Sequence, residues 1–436
     1  MVSTLFLLSL LVDPALAPLP APPAPTETVV AAPVAAPLPP AIWRAYGAAA
    51  ANLGPGDGVR AGQRLWLQLE RAGIEGGRWV LPQVRLSGVA EVGFGAKDER
   101  DTADNPKLAG NLFVRQVTGS AETSILDLRV GVTWLLFGAD DTYRPATLQL
   151  RGLPGQVAAR GMQAQTRHIF RGAAAELEIA AGVAPIRPEA QSPDWQGRVR
   201  LAWNGWRGVH TSGSAFTREE PLSITVSGLY RRLTGTLFDS SGASSTTVNG
   251  GGVSLDLLLP VLPARLGQRA HALTFTGSAM LGRGIADLYS TATQEVVSTI
   301  TGQRTTYRAP GAIGDTAGVR ADQLYAIDTR SLVLGLQYRP PRGPAWASVN
   351  YGRAHNDEVA SEGAVPYASP LSDPLPGAVT RGVAPVRDFQ AADVNLFVDP
   401  LPYLRVGAGY QWLGQTFSEG TERTIHRLSL SVVGFI

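Results

Sequence analysis

From Pro82 to the last residue the chain alternates apolar and polar positions with a period of two. Val84, Leu86, Gly88, Ala90, Val92 and Phe94 share one face, against Arg85, Ser87 and Glu91 on the other. Leu126, Leu128, Val130, Val132, Trp134 and Leu136 repeat the pattern against Asp127, Arg129, Gly131 and Thr133. It recurs from Val199 to Trp203, Leu222 to Tyr230, Leu273 to Leu281, Leu404 to Trp412 and His426 to Ile436. The segments run for about 9–13 residues, longer than the usual 5–6 of soluble strands and close to the 9–11 that a tilted strand needs to cross a bilayer.

Periodicity alone is shared by a soluble sandwich, whose polar face meets water, and a membrane barrel, whose polar face meets a lumen. Three features favour the barrel. Trp134, Trp203, Tyr230, Tyr338, Tyr351, Tyr410 and Trp412 lie near segment ends, where interfacial girdles sit. Tight Pro-rich connections, Tyr338 to Pro344 and Phe397 to Tyr403, contrast with long polar stretches from Gly282 to Ala326 and Gly352 to Phe389. The chain also stops on a strand ending Phe435-Ile436, like the assembly signal of bacterial barrels. The pattern predicts an all-β, transmembrane antiparallel β-barrel over 82–436, with about 16 strands (range 14–18) around a water-filled lumen.

The first 81 residues read differently. Leu5 to Val12 is an apolar run too short to span a bilayer, followed by Ala15-Leu16-Ala17, so 1–17 reads as a signal peptide despite lacking a preceding cation. Residues 18–40 form a Pro/Ala-rich tether that cannot build a core. Segment 41–81 is expected to be a short periplasmic or lumenal piece, with a short helix over Ile42 to Leu53 and an ambiguous stretch from Arg60 to Ala72.

Composition narrows the function classes. The 436 residues carry a net charge of +2 and only 17% charged residues, with no cysteine. That argues against a nucleic-acid partner, disulfide scaffolds, thiolate metal sites and cysteine nucleophiles. The cations are 36 arginines and only Lys97 and Lys107, a bias that codon usage explains as readily as function.

Position decides what those arginines can do. Arg85, Arg129, Arg167, Arg198, Arg200, Arg339, Arg405 and Arg427 fall on the lumen side of the pattern. On the lipid side each would cost about 2–4 kcal/mol at the midplane. Two roles stay open for each: bracing against Asp127, Glu176, Glu178 or Asp256, or helping anions through. Arg129, Arg167, Arg198 and Arg200 are the expected core of a positive constriction. The acidic cluster Asp98, Glu99, Asp101 and Asp104 lacks the spacing of a calcium loop, so no metal is assigned. Gly282-x-Gly284 lacks a third glycine and a following helix, and no cofactor is expected. His168 and His426 fall on the lipid-side face, and neither Gly-x-Ser-x-Gly nor His-Glu-x-x-His occurs.

Several segments resemble the DcaP-like trimeric outer-membrane porins. They are Leu128 to Gly138, Gln165-Thr166-Arg167-His168, the strand with Glu176 and Glu178, and Ser192-Pro193-Asp194-Trp195 leading into Arg198 to Leu201. The likeness covers roughly Gly88 to Tyr289 and, more loosely, the C-terminal strands. It implies a 16-stranded barrel, a homotrimer and an arginine-lined pore that prefers small anions such as dicarboxylates. Members often carry an N-terminal coiled coil, whose place the Pro/Ala tether takes here. The expectation is a non-enzymatic porin in the outer membrane of a Gram-negative bacterium, in contact with outer-membrane lipid and lipopolysaccharide and passing small anionic solutes. A lipid-acting barrel enzyme and a non-conducting structural or adhesive barrel are the alternatives.

Overall fold

In the computed structural model the described residues are 41–55, 63–95, 111–138, 141–148, 153–157, 159–184, 192–212, 217–239, 242–267, 271–285, 288–289, 317–320, 323–326, 328–356, 386–417, 420 and 422–435. The signal-like segment, the tether and the acidic cluster lie outside them.

The wall opens with β1 (Ile42–Pro55), β2 (Gln63–Leu81), β3 (Val84–Gly95), β4 (Asn111–Thr123) and β5 (Asp127–Trp134). It continues with β6 (Arg160–Arg171), β7 (Ala175–Ala184), β8 (Asp194–Thr211), β9 (Thr217–Asp239), β10 (Gly242–Leu262) and β11 (Ala272–Arg283). A separate two-stranded hairpin, β12 (Ala317–Arg320) and β13 (Gln323–Ala326), precedes β14 (Asp328–Arg339) and β15 (Ala345–Asn356). The wall ends with β16 (Val386–Leu401), β17 (Leu404–Phe417) and β18 (Glu422–Phe435). All but β12 and β13 form one closed antiparallel barrel of 16 strands, with β11 paired to β14 and β1 closing on β18.

The segment expected to lie outside the barrel is corrected by this closure. Ile42 to Leu53 is strand, and the ambiguous stretch from Arg60 to Ala72 enters β2, so the wall begins at Ile42. The run Ala48 to Ala51 has high helix propensity, but it pairs with Phe435, Gly434, Val433 and Val432 on one side and with β2 on the other. Tertiary pairing overrides the local preference because an open edge cannot persist in hydrocarbon.

Short connections gather at one end, as at 82–83, 340–344 and 402–403. The longer ones, including 284–327 and 357–385, gather at the other. Phe435, the last described residue, lies at the turn end, its amide donating to the Tyr403 carbonyl.

The faces settle the choice that periodicity left open. Outward residues are large, apolar and exposed: Leu428 at 70%, Leu281 at 67%, Val253 at 58%. Inward residues are polar and buried, among them Ser223, Ser254, Asp256, Thr276, Asn350 and Asn395. This is a soluble fold turned inside out, stable only where the outer surface meets lipid. Trp203, Tyr230, Tyr338 and Tyr410 stand on the outer face, and so does His426, whose ring meets the Tyr410 hydroxyl at 2.6 Å. Val199 points outward between inward Arg198 and Arg200. Val199→Arg is expected to lose about 2–4 kcal/mol of folding stability in lipid vesicles. Val199→Leu is expected to be near neutral, and equal denaturant midpoints for the two would contradict a lipid-facing wall.

Candidate functional site

The strand predicted to run through Leu136 stops at Trp134, and the chain then leaves the wall for the lumen. Leu135, Leu136 and Phe137 are buried inside the barrel instead of facing lipid. Gly138, at φ +82°, makes the bend, and a Cβ there would lie 2.6 Å from Val157. Because the departing chain loses its ladder, its amides need new acceptors. Gln196 Oε1 accepts from the Leu136 and Phe137 amides at 2.7 and 3.2 Å, and Ser227 Oγ from Gly138 at 3.0 Å.

The loop then crosses the inner wall from β8 to β17. The Tyr143 hydroxyl bonds Ser223 and Thr225 on β9. The Ala146 carbonyl accepts from Ser348 and Asn350 on β15. Thr147 donates to Asp393 on β16, which also accepts from Asn350 at 2.6 Å and Asn395 at 2.8 Å. Wall glycines make room for it. A Cβ at Gly335 would meet Pro145 at 2.7 Å, one at Gly352 Leu153 at 2.8 Å, and one at Gly407 Leu148 at 2.8 Å. Apolar packing holds the loop's base: Leu135, Phe137 and Val157 cluster with Leu229, Met280, Ile285 and Leu288. Val157 also bridges to Tyr289, whose buried phenol is pushed up to about 12 by desolvation and so stays neutral. Trp134 has a structural part here beyond the girdle position read from the sequence. Its ring is stacked by the guanidiniums of Arg144 and Arg160, each 3.8 Å from the centroid.

With the loop lying on β8 to β17, the inner surface left uncovered includes that of β3 to β7, flanked by β8. One register row there reads Arg85 (β3), Glu122 (β4), Asp127 (β5), Arg167 (β6), Ala180 (β7) and Arg198 (β8). Arg85 bonds Glu122 at 3.0 Å and Arg167 bonds Asp127 at 2.9 Å, with side chains about one-third exposed. Arg198 bonds Glu178 at 2.7 Å. The neighbouring row reads Ser87, Ser120, Arg129, Gln165, Gly182 and Gln196, so the residues level with Arg129 are neutral. Its guanidinium makes no hydrogen bond or ion pair among the described residues, and it lies within electrostatic reach of Arg167 and Arg198 and of the carboxylates Glu122 and Asp127.

The predicted arginines thus divide. Arg129, Arg167 and Arg198 come together on one patch of wall. Arg200 sits beside them, its Nε donating to Tyr143 at 3.2 Å and so tied to the loop. Arg339 and Arg405 lie at the turn end, sharing Asp399, and Arg427 on β18 sits opposite Gln411. Of the acids expected to brace them, Asp127 and Glu178 do so, whereas Asp256 accepts from Ser254 and Ser278. Glu91, bonded to Arg115 at 2.6 Å, Glu122 and Asp399 are bracing acids the sequence reading missed. The histidines meet a glutamine (His210), tyrosines (His271, His426), an aspartate (His355) and the Ile125 carbonyl (His168). Among the described residues no group of three or more His, Asp or Glu is placed to hold a metal.

No protein-family model matches the sequence, and no curated protein matches it. Solved structures do. The outer membrane channel DcaP of Acinetobacter baumannii is 13% identical, with 91% of this chain and 97% of that one covered at a TM-score of 0.61. An OmpF of Salmonella typhi, in complex with daunomycin, is 11% identical over 90% and 97%, TM-score 0.53. An anion-selective porin from Comamonas acidovorans is 10% identical over 91% and 100%, TM-score 0.51. The fold is therefore the 16-stranded barrel of outer-membrane porins.

Gln196→Ala would leave two buried loop amides without acceptors, each costing about 1–3 kcal/mol. The expected result is a loosened loop: proteolytic cleavage within 135–159 in the folded barrel, with the heat-modifiable migration of the barrel retained.

Proposed function

We propose that this chain is an outer-membrane porin of a Gram-negative bacterium, through which small hydrophilic solutes diffuse passively with preference for anions such as dicarboxylates. The observation that carries the preference is Arg129. Arg85, Arg167 and Arg198 each bond a carboxylate directly, Glu122, Asp127 and Glu178 respectively, while Arg129 feels Glu122 and Asp127 without a hydrogen bond or ion pair among the described residues. A fixed cation beside a partly dehydrated path lowers the energy of a passing anion and raises that of a cation. The shared barrel with a porin described as anion-selective supports the same reading. Arg85, Arg167, Arg198, Arg200, Arg339, Arg405 and Arg427 line the path in this proposal, chiefly as ion-paired or loop-bonded braces. Homotrimeric assembly follows from the family resemblance, and lipopolysaccharide and lipid surround the apolar wall.

Planar-bilayer recordings across a potassium chloride gradient test the reading. The expected reversal potential has the sign of anion preference, and Arg129→Glu is expected to lower the chloride-to-potassium permeability ratio severalfold. Cation preference in the unmodified protein, or an unchanged ratio in Arg129→Glu, would sink it. Light scattering coupled to size exclusion in detergent, after subtraction of the detergent mass, is expected to give three times the mass of one chain.

A further inference from the structure

The outer wall carries a group of arginines at its loop end, on the face opposite the lumen. Arg283 on β11, Arg330 on β14 and Arg353 on β15 are exposed, and they share the outward face of their strands with Leu281, Leu332 and Tyr351. The register makes them neighbours. Arg330 stands opposite Leu281 on one side and His355 on the other, so Arg283 and Arg353 are its diagonal partners, about 7–8 Å away across the sheet. This diagonal follows the tilt of the wall. Through β10 and β11, Tyr230 on β9 is level with Asp328, whereas Tyr351 on β15 is level with Leu334, nearer the turn end of β14. The three arginines descend in the same sense as these two tyrosines and lie at about one depth, just beyond them toward the loops.

Depth and chemistry agree. A guanidinium on the lipid face is costly at the midplane and cheap near the interface, so this is where the wall passes from hydrocarbon to headgroups. Two acids brace the group without covering it. Asp328 accepts from Arg283 Nε at 2.9 Å, and the Arg283 side chain stays 59% exposed. Asp388 accepts from Arg353 Nε at 2.9 Å and lies 2.8 Å from His355 Nδ1, and the Arg353 side chain stays 49% exposed. Exposed pairs of this kind are weak and exchange partners readily. They hold the guanidiniums side by side on the surface, while Leu281, Leu332 and Val253 continue the outward face below them as exposed hydrocarbon.

We propose that this face binds a phosphorylated glycolipid of the outer leaflet, its phosphates meeting Arg283, Arg330 and Arg353 and its acyl chains lying on Leu281, Leu332 and Val253. The long loops of such barrels are extracellular, so the leaflet that meets this end is the outer one. Guanidiniums take phosphate oxygens in paired, charge-assisted hydrogen bonds. A headgroup with two phosphates on one sugar frame engages neighbouring guanidiniums together; a lipid with a single phosphodiester engages fewer. The site deepens the reading that lipopolysaccharide surrounds the wall and rests on it. Arg129 and the passage of anions play no part.

The test is native mass spectrometry of the purified barrel in detergent, titrated with the diphosphorylated lipid anchor of lipopolysaccharide, its dephosphorylated form and phosphatidylglycerol. The diphosphorylated lipid is expected to bind at least about tenfold more tightly than either of the others. Arg330→Gln with Arg353→Gln is expected to weaken it at least about tenfold through the loss of charge-assisted hydrogen bonds. Arg330→Gln alone, which keeps both aspartate pairs, is expected to weaken it severalfold. Arg342→Gln, on the exposed 340–344 turn at the opposite end, is expected to bind like the parent. Heat-modifiable migration and reversal potential are expected to be unchanged in all three variants, and recovery of the chain in the outer-membrane fraction checks the underlying placement separately. Equal binding of the three lipids, displacement of the bound lipid by equimolar inorganic phosphate, or unaltered binding in the folded double variant would overturn the proposal.

Discussion

The whole structure answers to one requirement: no backbone amide or carbonyl can be left without a partner once the wall stands in hydrocarbon. The pairing of β1 with β18 meets it by removing the last open edge. The same requirement governs the interior, where the chain departs from the wall after Trp134. The amides released there are taken up by Gln196 and Ser227, and the Ala146 carbonyl by Ser348 and Asn350. The polar inner faces of β8, β9 and β15 thus serve as a substitute ladder for the loop. That accounts for so many small hydroxyl and amide side chains being buried inside a barrel whose outside is apolar.

This arrangement makes the interior asymmetric. The loop occupies one side, threaded along wall positions where Gly335, Gly352 and Gly407 leave space for Pro145, Leu153 and Leu148. The other side keeps its ion pairs partly exposed, which limits their contribution to stability and leaves them able to reorient. Most arginines there bond a neighbouring carboxylate, so the character of the path depends less on the number of cations than on those such as Arg129, which has Glu122 and Asp127 within electrostatic reach but bonds neither among the described residues.

Much of this was legible in the sequence, and the misses have a common cause. Face assignment needs only local alternation, so the inward placement of Arg85, Arg129, Arg167 and Arg198 and the outward placement of Val130 and Val199 followed directly. The strand at Ile42 to Leu53 was misread because its alanines favour helix while its partner lies at the opposite end of the chain. Leu136 continued the period of its strand, and only the later Gly138, Pro145, Pro154 and Gly155, together with apolar Leu148 and Leu153, hint that the following segment is not an external loop. Asp399 sits in a stretch recognisable only as a turn, and its union with Arg339 depends on two turns meeting in space.

The loop's attachments also carry a consequence for the order in which the molecule is made. Thr147 is anchored by Asp393, 246 residues further along, and Ala146 by Asn350, 204 residues on. Contacts so distant in sequence form late, after the intervening strands have been laid down. The groove that receives the loop does not exist until β14 to β17 are in place, so the segment must wait inside a growing sheet. A barrel interrupted before those strands would lack the loop's docking surface. In this protein, restriction of the lumen is coupled to the completion of its wall.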